Sequence, residues 1–243
     1  MPDSEKPLCI VALDYADSDS MFAFLDQAPP TSIPWVKIGL QMFCKYGTPI
    51  VKEVGERGYK IFLDLKLHDI PNTVAGAIKS LTDLPIQMLT LHGSGGAEML
   101  SRAAEIQRDC APDLRLLAVS VLTSMDADQL TSIGVGDPVS EQVNRLVRIA
   151  EDAGVSGIVC SPNEIESIRA NFASKPFLVT PGIRPKGSGA QDQKRIRTPG
   201  EAALLGTNAM VIGRPITQAS DPVQAYRDIE ADIDNSLNLS RTA

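Results

Sequence analysis

Short apolar, β-branched runs recur along the chain, with amphipathic stretches between them. The pattern predicts strands at residues 8–15, 35–39, 60–67, 88–92, 114–122, 157–161, 177–181 and 209–213, whose starts lie 20 to 43 residues apart. Eight such units in 243 residues average about 30 residues each. Runs such as Ile10-Val11-Ala12-Leu13 and Ile61-Phe62-Leu63 are nearly continuously apolar, as strands covered on both faces should be. Strands alternating with helical patterns imply parallel pairing through right-handed crossovers. Eight units of this kind make a closed (β/α)8 TIM barrel of the α/β class the leading architecture. An open doubly wound sheet ranks second, because no GxGxxG follows the first strand.

The helices carry ordinary punctuation. Residues 141–152 place Val143, Leu146, Val147 and Ala150 on one stripe, which Gly154 stops. Asp221-Pro222 opens the last helix as N-cap and first helical residue, with Val223, Tyr226 and Ile229 at helical spacing. The wide gap after the fifth strand predicts a longer loop over 124–138. No composition shift marks a linker, so one domain spanning residues 1–243 is expected.

Composition narrows the classes. The apolar fraction is 43% and the formal net charge is −7, an acidic balance that lacks the basic surface of a nucleic-acid binder. No stretch approaches a membrane span, and Met1–Lys6 lacks the basic region and apolar core of a signal peptide, so a soluble, cytoplasmic protein without membrane partners is expected. The four cysteines (Cys9, Cys44, Cys110 and Cys160) are scattered with no CxxC pair, and Cys9 and Cys160 sit in apolar runs as buried thiols would. With only His68 and His92, a His-rich metal site is excluded, and no metal is expected.

Strand parity then decides which residues face the barrel interior. Leu63, Leu65 and Leu67 share the parity that packs outward under the helices, which sends Asp64 and Lys66 inward near the end of the third strand. On the first strand Val11 and Leu13 point outward and Asp14 inward; on the second, Lys37 lies between outward Val36 and Ile38. Carboxylates and ammoniums thus converge at the face where barrels keep their active sites. A set of structural ion pairs is the bland alternative. Buried pairs are weak evidence for stability, however, and four ionisable groups at adjacent strand ends suit a functional site better.

The stretch Phe62-Leu63-Asp64-Leu65-Lys66-Leu67-His68-Asp69-Ile70-Pro71-Asn72-Thr73-Val74 resembles the DxKxxDI signature of the orotidine 5′-monophosphate decarboxylase family. Leu13-Asp14, Val36-Lys37-Ile38-Gly39, Val121-Leu122-Thr123-Ser124, Pro181-Gly182-Ile183-Arg184 and Gly213-Arg214-Pro215-Ile216-Thr217 extend the likeness over about residues 8 to 230. The resemblance implies cofactor-free loss of CO2 from orotidine 5′-monophosphate, giving UMP in pyrimidine biosynthesis. It implies Lys66 as the proton donor to C6, with Asp64 beside the departing carboxylate. Lys37 would extend the charge array and, with Asp14, contact the ribose. Asp69, Ile70 and Thr73 would reach into a neighbouring subunit's site in a homodimer, and Thr123 would bond the pyrimidine edge, with Ser124 a weaker candidate. Arg184 and Gln193 would contact the phosphate and pyrimidine.

Gly213 and Arg214, after the eighth strand, occupy a place where barrels often bind phosphate on backbone N–H groups, and Arg214 adds a planar donor fork. The loop over 184–198 is rich in Gly, Lys and Arg and reads as a lid over the substrate. His92-Gly93-Ser94-Gly95-Gly96 lacks the Lys-Ser/Thr of a P-loop, so it is expected to form a tight turn in which His92 supports the charged residues; His68 is expected to be structural or interfacial. The rival reading is an Mg²⁺-dependent sugar-phosphate decarboxylase or aldolase on the same DxKxxD strand. Its relatives carry an acidic metal ligand on strand two, where this chain has Lys37. A non-catalytic nucleotide-binding barrel would have no need of an acid beside a carboxylate.

Overall fold

The computed structural model describes residues 6–185 and 197–242. Its eight parallel strands close in sequence order into a barrel. They are β1 (Leu8–Ala12), β2 (Trp35–Gly39), β3 (Lys60–Leu67), β4 (Ile86–His92), β5 (Arg115–Val119), β6 (Gly157–Val159), β7 (Phe177–Thr180) and β8 (Ala209–Ile212). The helices that carry the chain back are α1 (Ser18–Gln27), α2 (Leu40–Glu56), α3 (Pro71–Leu81), α4 (Gly96–Cys110), α5 (Ala127–Ser132), α6 (Val139–Asp152), α7 (Ile165–Asn171), α8 (Pro199–Leu204), α9 (Arg214–Thr217) and α10 (Pro222–Thr242). β8 pairs with β1 through Leu8 to Val11, which closes the ring and leaves no free sheet edge.

Two apolar layers hold the barrel, and strand parity sorts residues between them. Ile10, Phe62, Met88, Leu117, Val179 and Ala209 fill the interior. Val11, Val36, Ile38, Leu63 and Leu65 point the other way, under helix residues such as Val143 and Ile229. The stripe on α6 is buried as its spacing predicts, and Gly154, at φ +84°, ends the helix in a conformation that favours glycine. Asp221 caps α10 by accepting the Gln224 N–H at 2.9 Å.

Three expectations are corrected. β1 ends at Ala12 and β5 at Val119, each three residues short of its predicted end, although Leu13 and Ser120 still donate backbone N–H bonds to the Lys37 and Val159 carbonyls of the neighbouring strands. The 124–138 segment is not only loop: it contains α5, opened by a capping box in which Asp126 and Gln129 bond each other's backbone N–H.

The β3–β4 pair breaks register twice. Ile61 pairs with Ile86 but Phe62 with Met88, so Gln87 is an extra residue on β4, and its side-chain oxygen accepts the Ile61 N–H at 2.6 Å. Further along, Leu63 pairs with Leu89 and Leu67 with Leu91, so Asp64, Leu65 and Lys66 face the single residue Thr90. This bulge ends in Lys66 at φ +51°, a left-handed conformation that costs a non-glycine residue roughly 1–2 kcal/mol.

Candidate active site

A cavity of about 840 Å³ opens at the C-terminal ends of the strands, where barrel chemistry is housed. Asp14, Lys37, Asp64 and Lys66 line it together with Thr123, Arg184, Gly213 and Arg214. Ser124 is exposed and does not line it. The opposing wall is apolar, built from Val119, Val121, Val159 and Val211.

The charges alternate. Lys66 Nζ donates to Asp64 Oδ1 at 2.8 Å, Lys37 Nζ stands 3.6 Å from Asp64 Oδ2, and Lys37 Nζ donates to Asp14 Oδ1 at 3.0 Å. Burial by itself would raise the Asp64 carboxyl pKa. The Lys37 and Lys66 ammoniums, with hydrogen bonds from Lys66 and Thr90, outweigh burial and hold it below the usual carboxylate value. Asp64 is therefore an anion wedged between two cations, whereas Asp14 at the rim has a side chain that is 61% exposed. Gly39 makes room for the rim pair: a Cβ there would lie 3.0 Å from Lys37 Nζ and 3.1 Å from Asp14 Oδ1.

Parity alone does not deliver Lys66. It explains Phe62 and Asp64, but the ladder is broken before Lys66, whose side chain reaches the cavity through the bulge. Thr90 is the β4 residue opposite the break, and sequence reasoning missed it. Its hydroxyl donates to Asp64 Oδ1 at 2.9 Å and accepts the Lys66 backbone N–H at 2.8 Å. The signal was present: a hydroxyl residue on the inward parity of Met88 and His92, inside the run Met88-Leu89-Thr90-Leu91. Cys160, expected as a buried thiol, is buried as anticipated and also borders the cavity.

At the other end of the cavity two arginines sit close together. Burial, and then the positive charge of Arg214, disfavour the charge on Arg184. Arg184 Nε is buried and finds no hydrogen-bond partner among the described residues. An anion between the two guanidiniums would relieve both conditions. α9 begins at Arg214 with Gly213 as its cap, a short helix directly after the last strand. The Ile183–Arg197 bridge joins the two stems of the 184–198 segment; its centre, including Gln193, lies outside the described residues.

Asp69, Ile70 and Thr73 do not line this cavity. Asp69 and Ile70 are exposed on the β3–α3 connection, where Asp69 Oδ1 accepts the Ile70 N–H at 2.6 Å, and Thr73 is exposed in the first turn of α3. The two histidines, widely separated in sequence, stack on each other with ring centroids 5.3 Å apart. Ser94 holds His92 through a 2.7 Å hydrogen bond to Nδ1, and the glycine-rich turn runs into α4 as expected. Burial lowers the His92 pKa, and the positive charges of His68 and Lys66 lower it further.

Residues 7–229 match the family model described as orotidine 5′-phosphate decarboxylase / HUMPS family. The chain is 56% identical to an orotidine 5′-phosphate decarboxylase of Opitutus terrae over 202 residues, 83% of this chain and 88% of that one. It is 48% identical to the enzyme of that name from Actinobacillus pleuropneumoniae over 225 residues, 92% of this chain and 97% of that one. The crystal structure of orotidine 5′-phosphate decarboxylase from Lactobacillus acidophilus superposes with a TM-score of 0.83 at 36% identity, covering 95% of this chain and all of the other.

Proposed function

Because the chain belongs to the orotidine 5′-phosphate decarboxylase / HUMPS family, we propose that it converts orotidine 5′-phosphate to UMP and CO2, a step of pyrimidine biosynthesis, using its own side chains and no cofactor. The observation that carries this reading is the Asp64–Lys66 hydrogen bond on the cavity wall, with Lys37 on the far side of the same carboxylate.

Cleavage of the C6–carboxylate bond leaves the electron pair on C6 and releases neutral CO2. Lys66 then transfers one ammonium proton to C6 and is reprotonated from solvent after UMP departs. Its positive charge beside C6 stabilises the pair as it develops, an effect worth more against the apolar wall than in water. Asp64 lies beside the departing carboxylate and fixes the direction of Lys66. Lys37 and Asp14 hold the ribose hydroxyls, and Thr123 bonds the pyrimidine edge. Arg184, Arg214 and the Gly213 backbone hold the phosphate, with Gln193 joining from the 184–198 segment.

In this reading Asp69, Ile70 and Thr73 serve the partner subunit's cavity in a homodimer. Their exposure on the site face supports it, above all that of Ile70, a large apolar side chain that is 68% exposed.

Incubation of the purified protein with orotidine 5′-phosphate in excess EDTA tests the assignment. Stoichiometric UMP and CO2 are expected; activity that appears only on adding Mg²⁺ would overturn it. Mixing inactive Asp64→Ala and Asp69→Ala proteins should restore activity through hybrid dimers that contain one intact site. Subunit exchange without recovery would refute the shared site.

A further inference from the structure

The β3–β4 pair has to solve a geometric problem where the chemistry sits. Three β3 residues, Asp64 to Lys66, face one β4 residue, so no regular backbone ladder can serve the Lys66 N–H. Lys66 is also held at φ +51°, a conformation that persists only where its surroundings enforce it. The enforcing contact is a side chain: Thr90 Oγ1 takes the Lys66 N–H at 2.8 Å in place of a backbone carbonyl. The same hydroxyl donates its proton to Asp64 Oδ1 at 2.9 Å, the oxygen that also receives Lys66 Nζ at 2.8 Å. One buried atom, with Thr90 0% exposed, thereby fixes the backbone of the proton donor and the carboxylate that aims it.

We infer that Thr90 is a positioning residue for the reaction: its hydroxyl locks the strained bulge that places the Lys66 ammonium against Asp64. The hydroxyl meets both demands with a single oxygen, donor toward Asp64 and acceptor toward Lys66. Valine has the same shape and neither function. Serine has both and lacks only the methyl group.

The inference rests on the decarboxylation reading, and the test separates the two. Turnover of orotidine 5′-phosphate is measured for the unaltered protein, Thr90→Val and Thr90→Ser, with hydrogen exchange of the Lys66 amide followed in each. Thr90→Val should lower kcat by about 10- to 100-fold with KM within about threefold, because misplacing a reacting group by about 1 Å costs on the order of 100-fold in rate. Thr90→Ser should stay within about threefold of the unaltered protein. The Lys66 amide should exchange faster in the valine variant and not in the serine variant. If Thr90→Val does not fold, Thr90→Cys, of similar size and with a weak donor, takes its place against Thr90→Ser.

A valine variant with undiminished kcat, or a serine variant as impaired as the valine one, overturns the role of the hydroxyl. Absence of turnover in the unaltered protein would instead defeat the decarboxylation reading, while amide exchange would still decide whether the Thr90 bond holds Lys66.

Discussion

The β3–β4 pair leaves regular register at both ends of the barrel, and the two departures differ in kind. At the lower end β4 carries the extra residue, Gln87, and its side chain repairs a lost ladder bond to Ile61. Among the described residues its amide nitrogen donates only to the nearby Pro85 carbonyl at 3.4 Å, and no charged group is involved. At the upper end β3 carries the excess, and Thr90 repairs the ladder while also binding Asp64 and sustaining a left-handed Lys66. The lower break is a local correction at a half-buried position. The upper break retains a strained backbone and four converging charges, an arrangement the barrel does not need in order to fold but the proposed chemistry does.

The sharpest way to break this contrast is to change one inward-facing residue at each level. Asp64→Asn should lower kcat/KM by about 1,000-fold or more, the scale of a lost electrostatic contact in a preorganised site, while Tm changes little. Leu117→Ala, in the inner layer, should cost about 2–5 kcal/mol of stability by denaturant titration, with kcat at low temperature nearly unchanged. If the two variants lose activity and stability in parallel, the division between levels is wrong. Gln87→Met should show a smaller effect of about 1–2 kcal/mol on unfolding, from the unsatisfied Ile61 N–H, again with kcat preserved.

The smallest effect concerns His92. Its pKa is depressed in the folded protein, so below its ordinary value of 6.5 the unfolded chain binds a proton that the folded chain resists. That contribution to stability is present at neutral pH and declines as pH falls below about 6.5. His92→Gln should flatten the dependence of stability on pH in this range. An unchanged slope would show that the His68–His92 stack carries no such penalty.

Most of the architecture was legible because it follows from period and parity. β2 and β3 match their expected bounds, and the inward set Phe62 and Asp64 follows from alternation against outward Leu63 and Leu65. Alternation ceases to be informative where the ladder breaks. Lys66 was expected inward, and it is, but by way of a bulge that no period of two contains. Thr90 reads in sequence as a neutral residue in an apolar run, because its importance lies in what it faces across the sheet. α5 was missed although Asp126 and Gln129 spell its capping box, since the short segment offers little apolar periodicity. Asp69, Ile70 and Thr73 were named through family resemblance, and their position outside this chain's cavity explains why geometry within one chain could not assign them.

The central claim is that the Lys66 ammonium, bonded to Asp64 and carried on the backbone that Thr90 holds, protonates C6. Single-turnover decarboxylation of orotidine 5′-phosphate by Lys66→Ala, with enzyme in excess and EDTA present, tests it most directly. The account predicts a rate at least about 1,000-fold below that of the unaltered protein, in a variant that still folds and still binds UMP. Retention of a tenth of the rate would contradict it.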